Sequence, residues 1–291
     1  MKWPKRIFDC HSHWGTEKGH VFQTPDDLAN QKNVFRTEGR LYTEEEMAAY
    51  FRDHNARVIL HLYITARMPI EKVREYNDYT FDFARTNRDV VFGHWLNFDP
   101  RRKEDGLGEY RRALDADAGF VGMAMAGHGI GVAASDPLWD PFYEAAIEAN
   151  RPVMLFAGLT GIGQGMRGGK GIVLDNMHPR HIDSVAARFP DLNILAARPA
   201  WPWQDEMIAV LLHKGNVSYE LHGWSPKYLT PALKKEIRGR LQDRVMFGCD
   251  FPALGYERVV NDWIAESYSD EVLEKLFFRN AEKYFHATVD E

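Results

Sequence analysis

The sequence predicts a single (β/α)8 TIM barrel, an α/β fold spanning residues 1–291, with long loops after strands 1 and 5. Three observations carry this. The length of 291 residues is normal for one such barrel. Eight short apolar runs alternate with longer amphipathic stretches. Polar residues gather at the C-terminal ends of the runs, where a barrel of this kind builds its site.

The runs are 7–13, 57–64, 90–98, 120–127, 151–159, 193–199, 217–223 and 245–251, rich in β-branched and aromatic residues and bounded by Gly, Pro, Asn or Asp. The helical stretches are MAAYFRDHN behind a Thr43–Glu46 capping box, then 70–88, 106–116, 137–149, 179–189, 203–214, 231–242 and 256–266. A last helix is expected over 270–286. Residues 14–42 and 159–177 are too long for plain connections. The second is glycine-rich, so its backbone can approach a ligand closely or move as a lid. Its spacing matches neither phosphate-binding glycine pattern.

At 45% hydrophobic and 13% aromatic, the chain can bury a large core without metal or disulfide. Thirty-six basic residues against 42 acidic ones leave a charge of −6 with no basic stripe, which argues against nucleic-acid binding. No 18-residue apolar run suggests a membrane span, and the N-terminus lacks the apolar segment of a signal peptide. A cytoplasmic location is therefore expected. The two cysteines, Cys10 and Cys249, are neither a disulfide framework nor a CxxC metal knuckle, and buried packing is the expectation for both. Homo-oligomer formation is left open.

Polar residues at the strand ends are His11 and His13 on the first, His61 and Tyr63 on the second, and His94 and Asn97 on the third. Arg198 ends the sixth, Glu220 and His222 the seventh, and Asp250 the eighth. His11 and His13 share one strand face by alternation, with Asp9 expected one step deeper. Two imidazoles at that spacing make half of a divalent metal site, or else simply bond neighbouring loops. Trp14, Trp95, Phe156, Trp201, Trp203, Trp224 and Tyr228 stand at or beyond strand ends, and part of this set is expected to form an aromatic wall. Arg198, with Arg167 and Lys170 from the glycine-rich loop, would add positive charge. The expected substrate is then a small planar ring carrying a carboxylate.

The segments IFDCHSHWG and RVMFGCDFP, the long stretch HIDSVAARFPDLNILAARPAWPWQDEMIAVLLHKGNVSYELHGWSPKY and the terminal NAEKYF resemble the amidohydrolase superfamily. The likeness is to its amidohydrolase-related branch of ring-acid decarboxylases and lactonases, and it covers essentially the whole chain. It implies that His11 and His13 bind a divalent metal, and that Asp250 is both a ligand and the proton-transfer group. The branch places two further histidines at the ends of strands 5 and 6. Here those positions are Phe156, which has no lone pair, and Arg198, which has only donors and a fixed charge.

A guanidinium beside a cation costs about 4 kcal/mol per charge at 4 Å and an effective dielectric near 20. The expectation is therefore a degenerate site with no cofactor, or one weakly held Zn or Mn. In the metal-free version Asp250 is the general base or acid, His11 and His13 position it, and Arg198 clamps a carboxylate or oxyanion. Alternatively a single metal sits on His11, His13 and Asp250, with His222 replacing a lost histidine. A third alternative is an inactive barrel that only binds a ligand. The first two describe a hydrolase or a carboxy-lyase, and the residues do not choose between lactone hydrolysis and decarboxylation.

Overall fold

The eight apolar runs become eight parallel strands in a computed structural model that describes residues 2–19, 29, 32–34, 36, 40–64, 67–116, 119–125 and 127–287. They are β1 (Ile7–Ser12), β2 (Ala56–His61), β3 (Val91–Leu96), β4 (Phe120–Met125), β5 (Val153–Phe156), β6 (Ile194–Ala197), β7 (Val217–Glu220) and β8 (Val245–Met246). Each pairs with the next in sequence order. The ring closes where the Cys10 N–H donates to the Phe247 carbonyl and the Asp250 N–H to the His11 carbonyl, each at 3.0 Å. Strand 1 and the chain leaving strand 8 therefore share one mouth.

The strands are shorter than their apolar runs, most of all β8. At the mouth the backbone leaves the ladder: Arg198 and Asp250, both non-glycine, sit at φ +52° and +70°. Left-handed geometry cannot continue a strand, so Arg198 ends the β6 ladder, while Asp250 lies four residues past β8 at the mouth.

Between the strands run α1 (Glu44–Asp53), α2 (Ile70–Thr86), α3 (Glu104–Asp115), the short α4 (Gly127–Ile130), α5 (Asp140–Glu148), α6 (Pro179–Arg188), α7 (Gln204–His213), α8 (Pro231–Arg238) and α9 (Tyr256–Ala265). The Thr43–Glu46 capping box forms as expected, each side chain bonding the other's backbone N–H. The expected last helix is interrupted. It runs as α10 (Asp270–Glu274), a π-helical turn (Lys275–Arg279) and α11 (Asn280–Tyr284), and the Leu276 carbonyl within that turn accepts the Phe247 N–H. Just beyond α11, Phe285 stacks on Phe8 at 5.7 Å and meets the edge of Trp95 at 5.8 Å, stopping the floor of the barrel.

The glycine-rich loop contains two 3-10 turns, Arg167–Gly171 and Leu174–Met177. Of the 14–42 connection, the described part includes a parallel bridge between Thr16 and Tyr42. Most of the rest lies outside the described residues. No helix among the described residues is long and apolar enough to cross a membrane.

Two stability predictions follow from the packing. A Cβ on Gly122 of β4 would lie 2.0 Å from the Pro152 carbonyl oxygen and 3.1 Å from the Trp95 ring. Because the nearer atom is backbone, Gly122→Ala must part β4 from β5, and it is expected to cost about 3 kcal/mol or more in urea unfolding. An effect under 1 kcal/mol would show that the strands yield.

Asp99, beyond β3, is buried and accepts the Arg67 N–H at 2.9 Å and the Arg101 N–H at 3.1 Å, as well as two side-chain bonds from Arg101. Burial pushes its carboxyl up, but the Arg101 guanidinium and the two backbone donors outweigh it and hold the pKa below the usual range. A depressed pKa gives stability that is present above the unfolded value and lost as pH falls through the folded one. Asp99→Asn should thus cost about 2 kcal/mol at pH 7, with the gap to wild type closing below about pH 4. A gap independent of pH would sink the ionic account.

Candidate active site

At the mouth, β1 delivers His11 and His13 with their Nε2 atoms 3.2 Å apart. The Asp250 carboxylate, at the end of the run that begins as β8, lies 3.3 Å from His13 Nε2. Hydrogen bonding decides which nitrogens carry protons. His13 Nδ1 lies 3.0 Å from the His61 carbonyl, which can only accept, so Nδ1 holds the proton and Nε2 presents a lone pair. His61 donates from Nε2 to Asn97 Oδ1 at 2.7 Å, leaving a buried Nδ1 with no partner among the described residues. His11 Nδ1 faces the Met154 sulfur at 3.3 Å. Burial, reinforced by neighbouring cationic groups, pulls the His11, His61 and His222 imidazoles well below their ordinary pKa. They are therefore neutral.

This donor set fits a divalent cation. Lone pairs from His11 and His13 converge with a carboxylate oxygen at 3.2 and 3.3 Å, close to the edge of about 3.3 Å in a tetrahedron of ligands about 2.0 Å from zinc. Among the described residues, two groupings bring ligand atoms within 4.8 Å of one another: His11 with His13 and His61, and His11 with His222 and Asp250. His222 stacks on His11 at 3.7 Å, nearly parallel, and its Nδ1 is held 2.5 Å from Glu220 Oε2. Burial, with Asp9 and Asp250 nearby, raises the Glu220 carboxyl well above its usual range. Gly248 makes room for it, because a Cβ there would fall 1.8 Å from Glu220 Oε1.

Arg198 is the other marked feature. Its guanidinium is buried, its Nε has no partner, and it makes no ion pair among the described residues. It donates to His128 Nδ1 at 3.3 Å and stands 5.4 Å over the Phe156 ring. Burial lowers its pKa to about 10, and Asp250, Tyr63 and Glu220 act against that fall. It remains a cation at neutral pH. Arg198 and Asp250 line one cleft of about 340 Å³, together with Leu159, Gln164, Trp224, Ser225, Lys227 and Tyr228. Trp224 stacks on the exposed Trp201 and meets Tyr228 edge-on. Phe156 fills the centre of the mouth, within 5.6 Å of His11, His61 and His222.

Some expected residues lie elsewhere. His94 is not in the mouth; it is buried on the helix side of β3 against Phe81 of α2 and against Trp14. Alternation explains this, since Trp95 takes the inward position and reaches across the barrel to donate to the Cys10 carbonyl. Trp14 packs with Tyr79 and Phe83, and Trp203 rests on His178, so neither forms the wall. Arg167 and Lys170 are exposed on the 3-10 turn and lie outside the lining of this cleft. Asp9 does not join the histidines, because a register shift in β1 between Asp9 and Ser12 breaks the alternation. Both cysteines are buried, with thiol pKa values pushed well up by burial, as expected of packing residues.

One site residue was missed. His128, on α4, holds Arg198 and stacks on Tyr63 at 5.6 Å. Its signal was the histidine immediately past the fourth run, one residue beyond the boundary drawn for it.

The family model described as Amidohydrolase matches residues 8–287. A comparison with curated protein sequences gives no match. Among solved structures, 2,6-dihydroxybenzoate decarboxylase from Rhizobium is 17% identical, with coverage of 97% of this chain and 99% of that chain and a TM-score of 0.74. 5-Carboxyvanillate decarboxylase from Novosphingobium aromaticivorans, complexed with manganese and 4-hydroxy-3-methoxy-5-nitrobenzoic acid, is 17% identical over 98% and 97% of the two chains, with a TM-score of 0.71. A probable 2-pyrone-4,6-dicarboxylic acid hydrolase from Acinetobacter baumannii, with citric acid bound, is 12% identical over 97% and 99%, with a TM-score of 0.66. At these identities the structural likeness shows the barrel fold, while the family match spans nearly the whole sequence. The chain belongs to the amidohydrolase family.

Proposed function

We propose that this enzyme, a hydrolase or carboxy-lyase of the amidohydrolase family, acts on a small planar ring compound bearing a carboxylate. The observation that carries the proposal is Arg198: a buried guanidinium with no carboxylate partner among the described residues, lining the same cleft as Asp250. A buried cation left unpaired is costly, and a substrate carboxylate would relieve that cost through paired charge-assisted bonds. Trp224 and Tyr228 offer flat faces for the ring. The structurally similar decarboxylases and the pyrone hydrolase are named for substrates of this kind, which supports the same class here.

Asp250 is the proton-transfer group. In lactone hydrolysis its carboxylate takes a proton from water as the water oxygen bonds to the ring carbonyl carbon, and returns it to the leaving ring oxygen. In decarboxylation the side chain starts as the carboxylic acid and delivers its proton to the ring carbon, the bond to the carboxylate breaks with its electrons staying on the ring, CO2 leaves, and water restores the proton to Asp250. His13, whose Nε2 lies 3.3 Å from Asp250, flanks that carboxylate. His11, His13 and Asp250 would hold a Zn or Mn ion, with His61, grouped with the two histidines, or His222, grouped with His11 and Asp250, as a further donor; such an ion would supply Lewis-acid activation. The Arg198 charge nearby keeps such an ion weakly held.

The test is a panel of hydroxybenzoates and carboxylated lactones or pyrones, each paired with its methyl ester. Turnover of acids but not esters is expected. Esters turned over as well as acids would sink the role of Arg198, and binding without turnover would indicate an inactive barrel.

A further inference from the structure

Asp250 occupies left-handed backbone space at φ +70°, a region that few residues other than glycine, asparagine and aspartate visit. Three consecutive N–H groups around it are anchored to β1. The Cys249 N–H donates to Asp9 Oδ1 at 3.0 Å, the Asp250 N–H to the His11 carbonyl at 3.0 Å and the Phe251 N–H to Ser12 Oγ at 3.1 Å. Asp9 Oδ1 also accepts the His11 N–H at 3.0 Å, so one oxygen ties the start of the histidine pair to the chain beside Asp250. Its Oδ2 accepts the Ser12 hydroxyl at 2.6 Å and the Tyr256 hydroxyl, from α9, at 2.7 Å. Asp9 itself is completely buried and absent from both groupings of potential metal ligands.

We propose that Asp9, Ser12 and Tyr256 form a clamp that sets the position of Asp250 relative to His11 and His13, making them positioning residues rather than catalytic ones. The β1 register shift is what makes this geometry available, by directing the Asp9 carboxylate toward Ser12 and Tyr256. Asp9 and Ser12 act on backbone N–H groups flanking the site, and Tyr256 acts on them through Asp9 Oδ2. Loss of one hydroxyl would leave every proposed ligand in the chain while freeing the peptide units that aim them. The inference rests on reading His11, His13 and Asp250 as a donor set for a divalent ion.

The experiment titrates the metal-free full-length protein with Mn²⁺ and Zn²⁺ by calorimetry, at a temperature where circular dichroism shows every variant folded. Wild type is expected to bind one ion, with affinity falling 10- to 100-fold or so in Ser12→Ala and Tyr256→Phe. Ser12→Thr, which keeps the hydroxyl, should restore most of it. Asp99→Asn serves as a variant destabilised away from the site, and should lower Tm without moving Kd. If Ser12→Ala and Tyr256→Phe lower Tm but bind within twofold of wild type, the clamp is structural only and the inference is overturned. Wild type that binds no ion overturns the donor-set reading and the clamp with it. The wild-type titration therefore tells the two failures apart.

Discussion

Asp250→Asn is expected to reduce turnover by at least a hundredfold while leaving the fold intact. The substitution is chosen for its backbone: asparagine is among the few residues that tolerate φ near the +70° of this position. Its amide is also nearly isosteric with the carboxylate, which matters because Gly223 approaches closely enough that a Cβ there would lie 2.9 Å from Asp250 Oδ2. What the variant loses is the ability to take and give a proton, and the negative charge facing His13. Positioned proton transfer contributes roughly 10²–10⁴ in rate, so a loss in that range is the expected measurement. Unfolding midpoints should stay within about 1 kcal/mol of wild type. A variant that kept more than one-tenth of wild-type kcat would remove Asp250 from the chemistry.

Arg198→Met is expected to produce two opposite changes. Substrate or carboxylate-ligand binding should weaken by about a hundredfold or more, because the charged partner of the carboxylate is gone. Stability should rise, by about 1–3 kcal/mol, because a buried cation with no ion pair among the described residues is replaced by an apolar chain of similar length. Methionine inherits the same φ of +52°, so backbone strain does not differ between the two. Thermal unfolding and a KM measurement on one preparation check both halves. Lower stability with an unchanged KM would mean that the guanidinium is a structural strut and that the substrate class must be sought elsewhere.

The barrel was legible because its signals are local. Eight apolar runs separated by amphipathic stretches specify strand and helix regardless of what lies across the fold, and each run overlaps a strand, β2 starting one residue early at Ala56. Boundaries were less legible. The run at 245–251 reads as a strand throughout, yet only Val245–Met246 stay in the ladder before the chain turns left-handed at Asp250. The side on which a strand residue falls was least legible. His94 looks like a mouth residue until the inward position is given to Trp95, whose indole N–H finds the Cys10 carbonyl two strands away.

The sequence by itself determined the β/α alternation, the family resemblance, the paired imidazoles ending the first strand and the acid ending the last. These depend on periodicity and on residue type at strand ends, properties carried within a few consecutive residues. Only the tertiary structure decided which side chains meet. It turned Asp9 toward Ser12 and Tyr256, brought His128 to Arg198, left that guanidinium without an ion-pair partner among the described residues and tied Asp9 to the backbone 240 positions away. Contacts of that kind are set by register between strands and by one irregularity in β1, and neither leaves a mark in local composition.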